Sequence, residues 1–322
     1  MSQAEEVRGS VDRSCVQGDA ELQNGDAQTD TVGQSSVRYE IVQLNRDNNA
    51  KVARRETAPF LVSLSGGLGS AIAAERAIKK YGREQVALWF ADTLWEDPGL
   101  YVFLHALMAR WGGRLYWFTD GRTPPEVWDD HRIVPNNLLA PCSYDLKIKH
   151  CRQFIKAMPQ LPTLLIGYKP GETRRQCNTL ASYAKAIPEI TVEYPLLWEP
   201  VERRSLMDVC RTELGIEPPP LYQLGYDYNN CGGRCCRSGI KSLVRTAYFF
   251  PDRYAALEEW EQCARSQGGA RANRSIASRQ RGGKKQPLTL TQIRKEYLPN
   301  ARKLLKLGTG KLEKRQEEVN QQ

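Results

Sequence analysis

Histidine is scarce, with three in 322 residues. A histidine-rich metal site is therefore excluded, and any soft metal would have to be held by thiolates. No stretch approaches the ~18 to 20 consecutive apolar residues of a membrane span. The polar N-terminus does not read as a signal peptide either, so no membrane partner and a cytoplasmic location are expected. Internal repeats are absent, as are the zinc-finger and homeodomain patterns that read DNA. The paired Cys-x-x-Cys spacing of a full four-thiolate zinc site is also missing.

Nine cysteines are present. Without a secretory segment they imply a reducing compartment, where clustered thiols mean metal binding or catalysis more readily than disulfides. The length suits one α/β core with appendages. Residues 1–56 are rich in Gln, Ser, Asp and Asn and read as a mostly disordered polar segment, although Tyr39, Ile41 and Leu44 hint at a short extra strand. A helix is expected from Phe249 to Ala264, starting after Pro251, with Tyr254, Leu257 and Trp260 on one packing face. From Ala264 onward there are 15 Lys and Arg against four Asp and Glu, while 57–263 is near neutral. The net charge of +9 is thus a property of a basic linker and tail over 266–322. Such a tail can neutralise phosphates and hold a nucleic acid without reading its sequence, or be simply solvated.

The core begins at Pro59 with an apolar strand that runs into Ser65-Gly66-Gly67-Leu68-Gly69-Ser70 and then an alanine-rich helix. Three glycines in four positions let the backbone turn sharply and approach a ligand. The amides that open the helix have no intrahelical acceptor, so the turn is a ready anion site. It also fits a turn that merely packs a helix closely on a sheet. No Gly-Lys-Ser/Thr follows, which rules out a Walker loop, and the Gly-x-Gly-x-x-Gly spacing of dinucleotide folds is absent.

The turn resembles the PP-loop, Ser-Gly-Gly-x-Asp-Ser, of the ATP pyrophosphatase and adenine nucleotide alpha hydrolase superfamily. Gly69 stands where that pattern has Asp, a departure shared by the phosphoadenosine phosphosulfate (PAPS) reductase branch. Further segments resemble the same branch. Asp92-Thr93 and Glu96-x-Pro98 follow a second strand, Gln85 to Ala91. Pro141-Cys142 precedes Leu146-Lys147. Gly167, Glu172 and Arg175 follow a strand at 163–167, and an apolar-Trp step at Trp198 ends a strand near 190–195 before a helix at Glu199-Pro200-Val201. Five strand signals alternating with helices imply an α/β fold: a mostly parallel five-stranded sheet flanked by helices, over 57–247, with a helical C-terminal extension.

Asn229-Asn230-Cys231-Gly232-Gly233-x-Cys235-Cys236 resembles a cysteine segment of PAPS reductase-like proteins. Glycines between Cys231 and Cys235 let both sulfurs turn toward one centre, with Cys142 as a further ligand and Cys236 adjacent. A [4Fe–4S] cluster, a structural zinc, a redox thiol pair and plain buried thiols all remain open. Cys15, Cys177, Cys210 and Cys263 stand alone and read as small hydrophobes.

The resemblance implies that ATP or a related adenine nucleotide, with Mg²⁺, binds at Ser65 to Ser70, Asp92, Thr93, Gly167 and Glu172. Arg175 and Lys147 would stabilise charge on the phosphates, and Cys231 and Cys235 would supply sulfur or electrons. Asp92 could equally cap or pin a loop. The expected reaction is α–β cleavage of ATP, adenylylation of an acceptor and sulfur transfer, with a nucleic acid as one acceptor and a homodimer as the assembly. A sulfonucleotide reductase, an ATP-dependent amide or amine ligation and a non-catalytic binding module are the alternatives. The Glu-Cys-Gly-x-His type segment of sulfate-assimilating reductases is missing, which counts against the first of them.

Overall fold

A computed structural model describes residues 38–199 and 205–306. The polar segment up to residue 37, the helix start at Pro200-Val201 and the end of the tail lie outside the described residues.

Six parallel strands form the sheet, one more than the five expected. In chain order the elements are β1 (Tyr39–Leu44), α1 (Asn49–Ala53), β2 (Phe60–Leu64), α2 (Leu68–Tyr81), β3 (Val86–Asp92), α3 (Pro98–Trp111), β4 (Gly113–Thr119), α4 (Pro124–Asp130), α5 (Pro141–Ser143), α6 (Lys149–Ala157), β5 (Thr163–Leu165), α7 (Thr173–Ala186) and β6 (Val192–Glu193). The strand order is β1-β4-β3-β2-β5-β6. The extra strand is β1, which pairs in parallel with β4 from Tyr39↔Gly113 to Leu44↔Phe118.

Strand β3 is buried at all seven positions, as expected of a parallel sheet covered on both faces. Alternate residues go to opposite cores. Leu88 and Phe90 join Val62 and Leu64 under α2 and α3. Ala87, Trp89 and Ala91 join Leu61, Tyr116 and Phe118 with Phe154 and Ile155 of α6 and Tyr183 of α7. The helices start where chemistry tells them to. Asp97 caps α3 by accepting from the Gly99 amide at 2.9 Å, with Pro98 next to it. Thr123 and Glu126 make a reciprocal box at the start of α4.

The N-terminal edge is tied down by charge. Asp120, at the end of β4, accepts from Arg46, from Arg122 at 2.7 Å and from His150 at 3.0 Å. Burial raises the Asp120 pKa, but the two guanidinium groups outweigh it and bring the carboxyl down to about 2.

After β4 the chain returns across the sheet to place β5 on the far side of β2. The crevice between β2 and β5 is therefore the switch point, at the carboxyl ends of the strands. There the two loops touch backbone to backbone. A Cβ on Gly167 would lie 2.3 Å from the Gly69 carbonyl oxygen and 2.5 Å from the Ser70 nitrogen; one on Gly69 would lie 2.6 Å from the Gly167 oxygen.

The C-terminal part departs from a linker and tail. Helices α8 (Leu206–Val209) and α9 (Pro220–Gln223) lead to α10 (Ile240–Phe249) and α11 (Pro251–Ser266). A hairpin, β7 (Ala277–Arg281) and β8 (Lys284–Leu288), and helices α12 (Leu290–Glu296) and α13 (Ala301–Leu305) follow. Tyr254 and Leu257 of α11 are buried with Ile276, Leu288, Ile293 and Leu305, together with Trp128 of α4 and Cys236. The buried Glu261 carboxylate accepts from the Ile276 amide at 2.8 Å and the Leu290 amide at 2.7 Å, so one side chain clamps both feet of the hairpin. Residues that read as solvated basic chain fold because isolated apolar positions, Ile276, Leu288, Leu290 and Ile293, converge on α11.

Two outcomes are expected. Gly167→Ala should lower unfolding free energy by about 1–3 kcal/mol in urea titrations, because no rotamer can relieve a clash with backbone. Asp120 contributes stability in full above the unfolded carboxyl value of about 3.9, and that contribution is lost as pH falls through about 2. Asp120→Asn should therefore cost stability near neutral pH and flatten the acid limb of a thermal-midpoint profile over that window.

Candidate functional site

The glycine-rich loop after β2 is ordered by its own hydroxyls. Ser70 donates to the Gly67 carbonyl at 2.9 Å and accepts from the Ser65 amide at 3.0 Å; the Ser65 hydroxyl lies 3.0 Å from it. Ser70 is thus a buried pin, whereas Ser65 is exposed. Gly66 takes φ +71° against Leu100, where a Cβ would meet the side chain at 2.7 Å. The Leu68 amide, at the start of α2, donates to the Tyr222 hydroxyl at 3.2 Å. A neutral phenol oxygen therefore stands at the positive end of a 14-residue helix, where an anion's oxygen would otherwise bind. Among the described residues no acceptor faces the amides of Gly67, Gly69 or Ser70.

Beside this loop opens a cleft of about 540 Å³ lined by Leu68, Lys169, Met207, Tyr222, Tyr226 and Asp227. The loop after β5 forms its other wall. Glu172 caps its turn by accepting from the Lys169 amide at 3.0 Å and pairs with Arg175. The Arg175 guanidinium lies 4.5 Å from the Tyr168 ring centre and 6.0 Å from that of Tyr228. Arg175 is exposed, so its charge is available at the rim.

A second group of residues gathers at the end of β3. Asp92 is buried and receives three protein donors: the Leu94 amide at 2.8 Å, Tyr101 at 3.0 Å and Trp117 at 3.2 Å. Burial, resisted by these bonds, raises its pKa. Those contacts make Asp92 a pin between β3, α3 and β4. Thr93 donates to Glu96 at 2.9 Å, and Lys147 approaches the same carboxylate at 3.1 Å. The chain around Lys147 is a π-helical turn, Tyr144–Ile148, that carries Lys147 inward while Lys149 is exposed. Burial acts to lower the Lys147 pKa, but Glu96 and the sulfurs of Cys231 and Cys235 raise it overall, so the ammonium stays charged.

Glu96 also accepts from the Cys231 amide, which explains a strained backbone. Cys231 has φ +53°, and Gly232 and Gly233 follow at +56° and +83°. Left-handed conformations cost a non-glycine residue energy and persist only where neighbours impose them. Arg253 bonds Asp97 at 2.6 Å and the Gly232 carbonyl at 3.3 Å; Arg234 bonds the Trp95 carbonyl at 3.2 Å and lies 4.1 Å from the Trp95 ring centre. Loop 95–97 thus holds the cysteine turn on three sides.

The turn brings four sulfurs near one another: Cys236 lies beside Cys142 and Cys235, and Cys231 beside Cys235. Cys231 and Cys236 are pushed well above the ordinary thiol range by their neighbouring sulfurs and by burial. Cys142 is pushed down by the neighbouring Cys236 sulfur, and Cys235 well down by Cys231 and Cys236 with help from the Lys147 charge. Among the described residues no group of three or more His, Cys, Asp or Glu is arranged as a ready shell for a single metal ion. The donor set is nonetheless four soft sulfurs beside one fixed cation, the composition that suits an iron–sulfur cluster or zinc.

Two centres therefore lie on one edge of the sheet, joined by residues 229–231: Asn229 donates to the Gly66 carbonyl at 3.3 Å while Cys231 bonds Glu96. The glycine loop, Gly167, Glu172 and Arg175 belong to the first; Lys147, Thr93 and the four cysteines belong to the second. Tyr222, Glu96, Asn229 and Arg234 were assigned no role from sequence, although Glu96 and Asn229 sit inside the quoted motifs. Of the lone cysteines, Cys210 is buried, but Cys177 and Cys263 are exposed and not packed hydrophobes. No protein-family model matches the chain, and comparison with curated proteins finds no match either.

Near neutral pH, Cys235 should be the first of the four thiols alkylated by iodoacetamide, as read by peptide mass spectrometry. Lys147→Met should slow that reaction severalfold by removing the cation that favours the thiolate. Faster labelling of Cys231 or Cys236 would show the order of thiol acidities to be reversed.

Proposed function

We propose that this protein is an adenine-nucleotide-using enzyme, resembling the PAPS reductase-like branch of the PP-loop superfamily, that prepares an acceptor for sulfur transfer. The observation that carries the reading is the meeting of Cys142 with Cys231, Cys235 and Cys236, from segments some 90 residues apart in the chain, beside Lys147 and next to the glycine loop.

In this reading the free amides at the start of α2 and the Arg175 guanidinium hold the phosphates across the β2–β5 crevice. Docking of a phosphate oxygen displaces the Tyr222 hydroxyl from the Leu68 amide. Mg²⁺ would neutralise the pyrophosphate as it leaves. An acceptor oxygen attacks the α-phosphorus, the α–β bond breaks, and AMP on the acceptor is later displaced by a sulfur nucleophile. Cys142, Cys231, Cys235 and Cys236 would hold a cluster or zinc, which when bound supplies sulfur or keeps the thiols in place. Lys147 favours the thiolate forms of Cys235 and Cys142, and Glu96 orients Lys147.

A second reading has its own support. Cys235, held well below the ordinary thiol range beside the raised Cys231 thiol, is also the arrangement of a dithiol redox pair, as a sulfonucleotide reductase would need.

Anaerobic purification with a visible spectrum and iron, sulfide and zinc analysis tests the first reading. A coloured or zinc-loaded protein is expected, with loss of the metal in Cys235→Ser and pyrophosphate release from ATP that survives in that variant. A colourless, metal-free protein that turns over PAPS with thioredoxin would establish the second reading instead.

A further inference from the structure

Residues 265–306 carry 12 Lys and Arg against a single acid, Glu296. Several of these charges are used inside the fold. Arg271 bonds the Trp128 and Asp129 carbonyls, Arg294 pairs with Glu258, Arg279 with Glu296, and Arg265 bonds the Arg274 carbonyl. The charges at the hairpin tip are not. Arg281, Lys284 and Lys285 are exposed, and Lys285 reaches only the neutral Asn137 amide oxygen, at 3.2 Å. Arg281 and Lys284 have no acceptor among the described residues.

The ladder makes this arrangement costly. Arg281 and Lys284 are directly opposite one another across the turn Gly282-Gly283, whose φ values are +57° and +72°. Like charges in that position destabilise a two-stranded ribbon, which is marginal in water by itself. This one persists because its feet are clamped by Glu261 and by Ser275, which donates to the Ala277 carbonyl at 2.7 Å and accepts from the Leu288 amide at 2.9 Å. The repulsion at the tip is thus unrelieved among the described residues, and a polyanion would relieve it.

We propose that β7–β8 is an arm that docks on the phosphate backbone of a nucleic acid. The exposed tip between Gln280 and Gln286 offers charge and glycine but no aromatic or aliphatic side chain. It has nothing to form the apolar centre of a protein interface or to insert into a lipid surface. Phosphates need only point charges, and a two-stranded ribbon is of a size that the major groove of B-form DNA admits. The arm also stands on the wall of the cysteine centre. Ile276, Ala277 and Leu288 at its feet share an apolar cluster with Cys236, against which Cys142 packs. A bound strand would therefore pass the thiols, which fits a nucleic-acid acceptor in the reading above, although the docking itself needs no sulfur chemistry.

The test is fluorescence anisotropy of the full chain with labelled single-stranded DNA, duplex DNA and duplex RNA of one sequence. With Arg281→Gln, Lys284→Gln and Lys285→Gln combined, affinity at about 100 mM salt should fall tenfold or more. The slope of log K against log salt should become shallower by about 2 to 3, near 0.9 per lost contact. The thermal midpoint should hold or rise slightly, since the clamped feet are untouched and the like-charge pair is removed, and Arg281→Lys should bind nearly as the parent. The double variant Cys231→Ser, Cys235→Ser should bind unchanged, so failure of the sulfur reading and failure of this one are separable. An unchanged slope and affinity in the triple variant would overturn the proposal. So would binding of the parent to phosphatidylserine vesicles but to none of the three nucleic acids, or loss of binding only on Lys311→Gln, Lys314→Gln and Arg315→Gln.

Discussion

Everything at the carboxyl edge of the sheet depends on two strands whose following loops are in backbone contact. Gly69 and Gly167 leave no room for a β-carbon on either side of the β2–β5 crevice. That contact sets where α2 starts, and so where its unpaired amides face. Tyr222 and Asn229 can reach the loop only because it is drawn in this closely. An aspartate at 69 would not fit this packing, so the departure from the PP-loop pattern is a structural requirement here as much as a change of chemistry.

The same edge carries a sharp contrast in how carboxylates are used. Asp92 is consumed by three neutral donors and serves as a pin. Glu96, four residues later, takes a threonine, a lysine and a strained cysteine amide, and so connects the sheet to the sulfur chain. Polar contacts at this site are therefore organised from the β3 loop through Glu96, and the charge of Lys147 reaches Cys235.

The parallel sheet was legible because β2, apolar but for Ser63, and β3, apolar up to Asp92, are compact runs bounded by glycine and by that aspartate. The edge strand β1 was only hinted at, since an exposed strand alternates weakly and its pairing with β4 is fixed by Arg46 and Asp120, 74 residues apart. Cys142 could be joined to the distant cysteines only through resemblance, because no spacing rule links one segment to another across a fold. Tyr222 gave no signal at all: a tyrosine in a proline-rich connection acquires its role solely from where α9 packs. The hairpin was missed for the opposite reason. Its charge and glycine content dominate the composition, while the buried Glu261 that clamps it reads in sequence as one more surface acid on α11.

The order in which the chain is made has a consequence for the sulfur centre. All six strands of the parallel sheet are complete by Glu193, whereas three of the four thiols lie at 231–236 and the apolar wall behind them extends to Leu305. A polypeptide emerging from the ribosome can close its sheet and bring Gly69 against Gly167 well before the cysteines have their surroundings. Loading of any metal or sulfur is then a late, near-terminal event in biogenesis, and a prematurely stopped chain would keep the crevice without the thiols' enclosure.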